Sequence, residues 1–409
     1  MRQWKKVSLA LALALAGLLA SCGGGGGSGI SPPVLSPTFT QMVTFGDSLS
    51  DVGTYKVGTI AAVGGGQFTV NTTTSKNWTE LIAAKLALPV PCAAQTGFSP
   101  LIPGFAGAAT VNNTACRNYA QGSARVTSTY GPNSKAIQDF AAANGVPVAA
   151  NPAPLGFTAL PVFNQINNHL TAVGGSFGEK DLVLVLAGGN DVFLNLGGFG
   201  AVVTNVQAPS QSNAQAAGAA AFLAAWTPAQ QQAVAAGGAA AISEAQTAAV
   251  QGMTRAADEL AGYVKTLMLA KGAKFVAVVN LPDVAQTPLA ASFDANTKGF
   301  VNLLVTSYNG ALQASLGTTP GVVIVDAYTQ GRAQVASPAA FGLSNVTVPA
   351  CSKTSSANPL GGASITCTTA STIAGDTSRY NFADDVHLTP YGNQLLADFV
   401  LSRVIAGIK

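Results

Sequence analysis

Five apolar runs, Gln41–Phe45, Cys116–Ala120, Leu182–Ala187, Phe275–Asn280 and Val322–Asp326, constrain the fold more than any other feature of the chain. Several are apolar almost without interruption, so neither face suits water. Strands of that kind belong in a parallel sheet covered on both sides. Helical patterns separate them. Trp78, Leu81, Ile82, Lys85 and Leu86 recur at helical spacing with Pro89 beyond, and Ile242, Val250, Met253, Leu260, Val264 and Leu267 share one face before Gly272. The alternation predicts an open α/β fold with a mainly parallel sheet, whose ligands lie outside the carboxyl ends of the strands.

The N-terminus reads differently. Arg2, Lys5 and Lys6 precede the apolar stretch Val7–Ala20, which is short for a membrane span, so residues 1–21 are expected to be a signal peptide. The stretch ends in Leu19-Ala20-Ser21-Cys22, which is similar to the lipobox of bacterial lipoproteins. Cys22 is then the lipidation site, and the partner is a membrane held through an N-terminal lipid anchor. An ordinary secretory signal with an incidental cysteine is the alternative. Residues 22–38 are rich in Gly, Ser and Pro without a hydrophobic period, and should form a leash reaching roughly 20–25 Å; residues 39–409 make the domain. Gly23 lacks the acid that favours inner-membrane retention, which makes the outer membrane the expected destination of an exported protein. The same three cations explain the charge excess. Of 20 basic and 17 acidic residues, removing Arg2, Lys5 and Lys6 leaves 17 against 17. No general basic field remains to bind nucleic acid.

Five cysteines are an awkward number for an exported chain. Lipidating Cys22 leaves Cys92, Cys116, Cys351 and Cys367. Local pairing, Cys92–Cys116 and Cys351–Cys367, is the expected arrangement among the possible ones, each bridge contributing about 3 kcal/mol by closing its loop. No cysteine has metal-ligand spacing, so neither metal nor cofactor is expected.

Residues 192–243 carry no charge and are largely Ala, Gln and Gly. With Thr227-Pro228 as a helix start, they read as an inserted helical hairpin beside the strand ending before Asn190. Packed filler and an apolar lid or acyl-binding wall are both open readings of it.

Chemistry concentrates behind the strands. Gly46-Asp47-Ser48-Leu49-Ser50-Asp51 follows the first run, where an α/β sheet can present a nucleophile, although Gly-Asp-Ser alone is an ordinary turn. A serine needs a base, and the chain has 2 histidines. His169 lies in a helical stretch without a nearby acid and reads as a solvated or partly packed surface residue. His387 follows Asp384 by three positions, a spacing that lets the carboxylate turn back to the imidazole, with Asp385 as the rival acid. Gly188-Gly189-Asn190-Asp191 brings an amide side chain to the same sheet edge, and Asn118-Tyr119-Ala120-Gln121-Gly122-Ser123 offers backbone N–H groups in a turn. Donors preset where negative charge develops stabilise an oxyanion.

These four blocks, in this order, resemble the GDSL-type SGNH hydrolases, in particular the bacterial lipase/esterase branch described as phospholipase/lecithinase/hemolysin-like. The resemblance spans roughly Val43 to Leu401. It implies a flavodoxin-like three-layer α/β/α sandwich that hydrolyses esters without metal or cofactor. Ser48 would be the nucleophile, His387 the base and then the acid, and Asp384 its orienter, with Ser48 N–H, Gly122 N–H and the Asn190 side chain as the oxyanion hole. The chain departs from the family where Leu388 replaces a frequent Pro, Arg117 a frequent Gly, and Ser123 a frequent second Gly. The last leaves Ser123 as the alternative backbone donor to Gly122.

The leading expectation is therefore an esterase or lipase that cleaves small-molecule or lipid acyl esters. A carbohydrate O-acetylesterase of the same fold is the enzymatic alternative and predicts a shallow polar cleft. A structural surface lipoprotein is the non-enzymatic one.

Overall fold

In the computed structural model of the chain, residues 38–100, 102–146 and 155–407 are described, and they belong to a single unit. The expected signal peptide, Cys22 and nearly all of the leash lie outside the described residues. Four strands form the central sheet: β1 Gln41–Gly46, β4 Asp181–Leu186, β5 Phe275–Val279 and β6 Val322–Val325. They are parallel throughout and ordered β1-β4-β5-β6. The register pairs Gln41 with Asp181, Leu182 with Phe275 and Val276 with Val322. An antiparallel pair, β2 Gln95–Phe98 and β3 Ala108–Asn112, stands apart.

The fifth expected strand, Cys116–Ala120, is a correction: it runs along the free edge of β1 through one parallel bridge, Thr44 to Asn118. Thr44 N–H donates to Arg117 O at 3.0 Å and Tyr119 N–H to Thr44 O at 2.8 Å, while Ala94 N–H donates to Asn118 O at 2.7 Å from the other side. The segment is thus bonded on both edges but too briefly to propagate a ladder.

Helices cover both faces: α1 Gly58–Ala62, α2 Trp78–Lys85, α3 Lys135–Asn144, α4 Val162–Ala172, α5 Gly189–Gln207, α6 Gln211–Leu223, α7 Pro228–Ala235, α8 Gly238–Tyr263, α9 Ala295–Leu316, α10 Ala327–Ala336 and α11 Pro390–Gly407. Strand side chains alternate between the two layers. Val43, Phe45, Val183, Val185, Val276 and Val278 pack with α4, α5, α8 and α9 in one core. Met42, Leu182, Leu184, Leu186, Ala277 and Val279 meet Trp78 and Ile82 of α2 and Ala397, Val400 and Val404 of α11 in the other. Burial on both faces is what the uninterrupted apolar runs require. The fold is the expected three-layer α/β/α sandwich.

The uncharged stretch differs from the expected hairpin. Its first part completes α5, and two short helices, α6 and α7, then lead into α8. Thr227 caps α7 with Pro228 in its first turn and Gln230 completing a capping box. Alanines let these helices approach closely: Ala217, Ala221, Ala241, Ala245, Ala248 and Ala249 are buried around Trp226, whose Nε1–H donates to Asn195 Oδ1 at 2.8 Å.

Both expected disulfides are present, Cys92–Cys116 and Cys351–Cys367. His169 overturns its expected surface position. It is 1% exposed on the inner face of α4, against Phe45, Tyr119 and Phe177. Burial, helped by Arg117, pushes its pKa down to about 4, so it packs as a neutral ring.

Candidate active site

β1 delivers the first block to the sheet edge through a sharp turn. Gly46 has φ 151°, and a Cβ there would lie 2.2 Å from Leu186 O of the neighbouring strand, so only glycine fits. The Gln165 side chain grips this peptide from α4: Gly46 N–H donates to its Oε1 at 2.9 Å, and its Nε2–H donates to Gly46 O at 2.8 Å. Ser48, in the turn, is half-buried. Asp47 turns inward, where its Oδ1 accepts Leu49 N–H at 3.0 Å. Burial pushes the Asp47 pKa up to about 7, with the Leu49 N–H and the His387 charge working against that rise and Asp191 adding to it.

His387 arrives from the other end of the sequence, on the loop before α11. Its Nε2 lies 2.8 Å from Ser48 Oγ, and its Nδ1 lies 2.8 Å and 2.9 Å from the two carboxylate oxygens of Asp384. With the Nδ1 proton on the carboxylate side, Nε2 is the acceptor for the Ser48 O–H. Asp384 is itself fixed: Oδ1 accepts Val386 N–H at 3.0 Å and His387 N–H at 2.8 Å, and Oδ2 accepts Ser364 N–H at 2.9 Å. Burial works against the Asp384 charge, but His387 and these N–H donors outweigh it and hold the carboxyl well below the usual range. Burial likewise opposes the His387 cation, yet Asp384 and Asp47 raise its pKa above the ordinary imidazole value. Asp385, the rival acid, instead pairs with Lys353 at 2.8 Å on the surface. Phe68 lies over the His387 ring, with centroids 4.9 Å apart.

The N–H donors require one correction. Gly122 N–H donates to Asp51 Oδ2 at 2.9 Å, so it is already used. Glycine is needed there for a different reason: a Cβ would stand 2.3 Å from Phe68 Cζ. Ser123, next along, holds φ 68°, and among the described residues neither its N–H nor that of Ser48 has an acceptor. Asn190, at the start of α5, donates one Nδ2 proton to Ala124 O at 2.8 Å and keeps the other. Two N–H groups and one amide proton therefore stand unused around the Ser48 turn, which Gln121 N–H ties to Gly46 O at 3.2 Å.

A buried ion pair supports that edge. Arg125 Nε–H donates to Asp191 Oδ1 at 2.8 Å with both side chains 3% exposed, and Asp191 Oδ2 accepts Val126 N–H at 3.1 Å. Its two terminal nitrogens donate one N–H each, Nη1 to Leu223 O at 2.7 Å and Nη2 to Ala224 O at 3.3 Å, at the end of α6. The uncharged helices are thus pinned beside Asn190. Sequence reading missed Arg125, although an arginine two positions beyond Ser123 in an apolar run was a signal. Gln165 and Ser364 gave none, since Gln165 holds the Gly46 peptide and Ser364 acts through its own backbone N–H.

Among the described residues, no three His, Cys, Asp or Glu side chains group so as to hold a metal ion, and no helix is long and apolar enough to cross a membrane. The arrangement can polarise a hydroxyl through an imidazole and stabilise a nearby negative charge. A family model described as GDSL-like Lipase/Acylhydrolase matches residues 42–400. A comparison with curated proteins finds no match.

Proposed function

We propose, starting from a chain that belongs to the GDSL-like lipase/acylhydrolase family, that this protein is a serine carboxylic-ester hydrolase working through Ser48, His387 and Asp384. Membership implies acyl hydrolase activity of the esterase or lipase type. The observation that carries the residue roles is the unbroken hydrogen-bond chain from Ser48 Oγ through His387 to Asp384.

In this reading His387 Nε2 takes the Ser48 proton as Oγ attacks the ester carbonyl carbon. Asp384 keeps the imidazole in the right tautomer and stabilises the imidazolium that forms. Negative charge collects on the carbonyl oxygen, facing Ser48 N–H, Ser123 N–H and the Asn190 side chain. His387 then passes its proton to the departing alcohol, leaving an acyl group on Ser48. A water deprotonated by His387 releases the acid and restores the serine.

The experiment is hydrolysis of p-nitrophenyl esters from acetyl to palmitoyl by the wild type beside Ser48→Ala and Asn190→Ala. Ser48→Ala should abolish turnover with its melting temperature nearly unchanged. Asn190→Ala should lower kcat by about 10²–10³ with KM little affected. Turnover retained without Ser48 would remove it from the mechanism. An acetyl-only optimum would instead favour the carbohydrate O-acetylesterase reading.

The same proposal covers address. Residues 1–21 direct export and Cys22 carries the lipid, placing the domain at a bacterial membrane on a leash. Two disulfides support an oxidising compartment.

A further inference from the structure

An aromatic ring covers the histidine that meets Ser48. Phe68 lies against the His387 imidazole with centroids 4.9 Å apart and planes 34° from parallel, so the two rings meet largely face to face. Tyr55 and Phe157 hold the Phe68 ring edge-on, each crossing it at 86°, with centroids 6.5 Å and 6.3 Å away. Tyr55 itself stacks on Phe157 at 3.8 Å, donates its O–H to Gly122 O at 2.9 Å and accepts Ala159 N–H at 3.1 Å. The tip of the Phe68 ring abuts Gly122, where a Cβ would lie 2.3 Å from Cζ. One ring thus touches both the imidazole and the turn that carries Ser123.

The segment bearing Phe68 is fastened to the loop that also fixes Asp384. Gly66 N–H donates to Ile365 O at 2.9 Å and Asn71 N–H to Cys367 O at 2.8 Å, while Ser364 N–H reaches the Asp384 carboxylate at 2.9 Å. A change of side chain at position 68 leaves those backbone bonds in place. It also leaves the charges in place. Those acting on His387 are Asp384 from its own loop and Asp47 from the turn after β1. Asp191 is paired with Arg125, and Asp385 with Lys353. Residues 66–71, 288–292 and 364–367, which meet the His387 loop, carry no charge.

A closely packed apolar cover would by itself oppose an imidazolium, because burial disfavours charge. An aromatic face is the exception, since its electron-rich surface attracts a cation within about 6 Å of the centroid. Such a cover excludes water from the imidazole and favours its charged form together. We propose that Phe68 is a positioning residue for the hydrolysis: its face keeps the His387 ring turned toward Ser48 and stabilises the imidazolium formed when the serine proton is taken. The inference rests on the ester-hydrolase reading above and adds a residue to it.

The test is Phe68→Leu in the full chain, with Phe68→Met in its place should the first not fold; both fill the space without a π face. In a Ser48→Ala background, the ring signals of the 2 histidines are followed by NMR through a pH titration, a readout that needs no turnover. The His387 midpoint should fall by about half a pH unit or more on losing the ring. With Ser48 present, kcat should fall about threefold or more with KM little changed, and the acid limb of kcat/KM should move down with the midpoint. A midpoint unmoved or raised overturns the inference, as does an unchanged kcat. A change in KM alone would make Phe68 a binding residue and overturn it too. A wild type without Ser48-dependent hydrolysis on any ester fails the ester-hydrolase reading instead, and takes the role in hydrolysis with it whatever the titration gives.

Discussion

Asp47 sits one position before the half-buried Ser48 and faces both His387 and Asp191 from inside the turn. Its charge is one of the forces raising the His387 pKa. Only a neutral imidazole accepts the serine proton, so the acid limb of the rate profile follows that pKa. Replacing Asp47 by Asn removes a negative neighbour, weakens the imidazolium and should shift the acid limb of kcat/KM to lower pH. An acid limb left in place, or moved upward, would exclude Asp47 from the electrostatics of the base. At this scale the sequence was legible where function concentrates residue types. Ser48, Asn190, Asp384 and His387 each stand just behind an apolar run or beside the final helix. Gly122 was misread because two demands select the same residue: a bare Cα suits an anion, and it also suits the Phe68 ring.

Elements carry the geometry that single residues cannot hold. The loop closed by Cys351–Cys367 donates Ser364 N–H to Asp384, and Cys351 N–H donates to Ala383 O at 2.8 Å, one residue before that carboxylate. The Asn71 side chain fastens the same loop, donating to Ser364 O and Cys367 O at 3.0 Å each. The two bridges join residues separated by 16 and 24 positions, so chain entropy assigns each about 3 kcal/mol. Their effects on catalysis should differ. Replacing Cys351 and Cys367 together by Ser should lower both the melting temperature and kcat, while the Cys92 and Cys116 pair should cost similar stability with a much smaller loss of kcat. Equal kcat losses from the two pairs would show that the Cys351–Cys367 bridge has no special hold on Asp384. Strand and helix existence was readable from periodicity, but the Cys116–Ala120 segment was not distinguishable from a strand. Cys116, Tyr119 and Ala120 are apolar around Arg117 and Asn118, and the segment's peptide bonding to each neighbour is too brief for more than a bridge. The Ala-rich helices gave composition without direction. What anchors them, Arg125, lies 98 residues from Leu223 in sequence.

The proposed lipid anchor is tested on the whole molecule. If Cys22 carries the lipid, cells fed labelled palmitate should yield a labelled protein, and Cys22→Ser should lose the label and leave the membrane fraction while still cleaving esters. A labelled Cys22→Ser chain would refute the site. The three-layer architecture was legible because burial on both faces leaves few places for an uninterrupted apolar strand. The strand order β1-β4-β5-β6 was not, since apolar runs show which segments are strands but not which neighbours they take. That order has a further consequence for timing. Ser48 and His387 are 339 residues apart, and β1, the first strand synthesised, pairs with β4. Contacts of such separation form late, after the intervening loop has been closed at an entropic cost. In the proposed mechanism, a growing or unfolded chain therefore carries its serine without its base until the C-terminal segment that bears His387 docks.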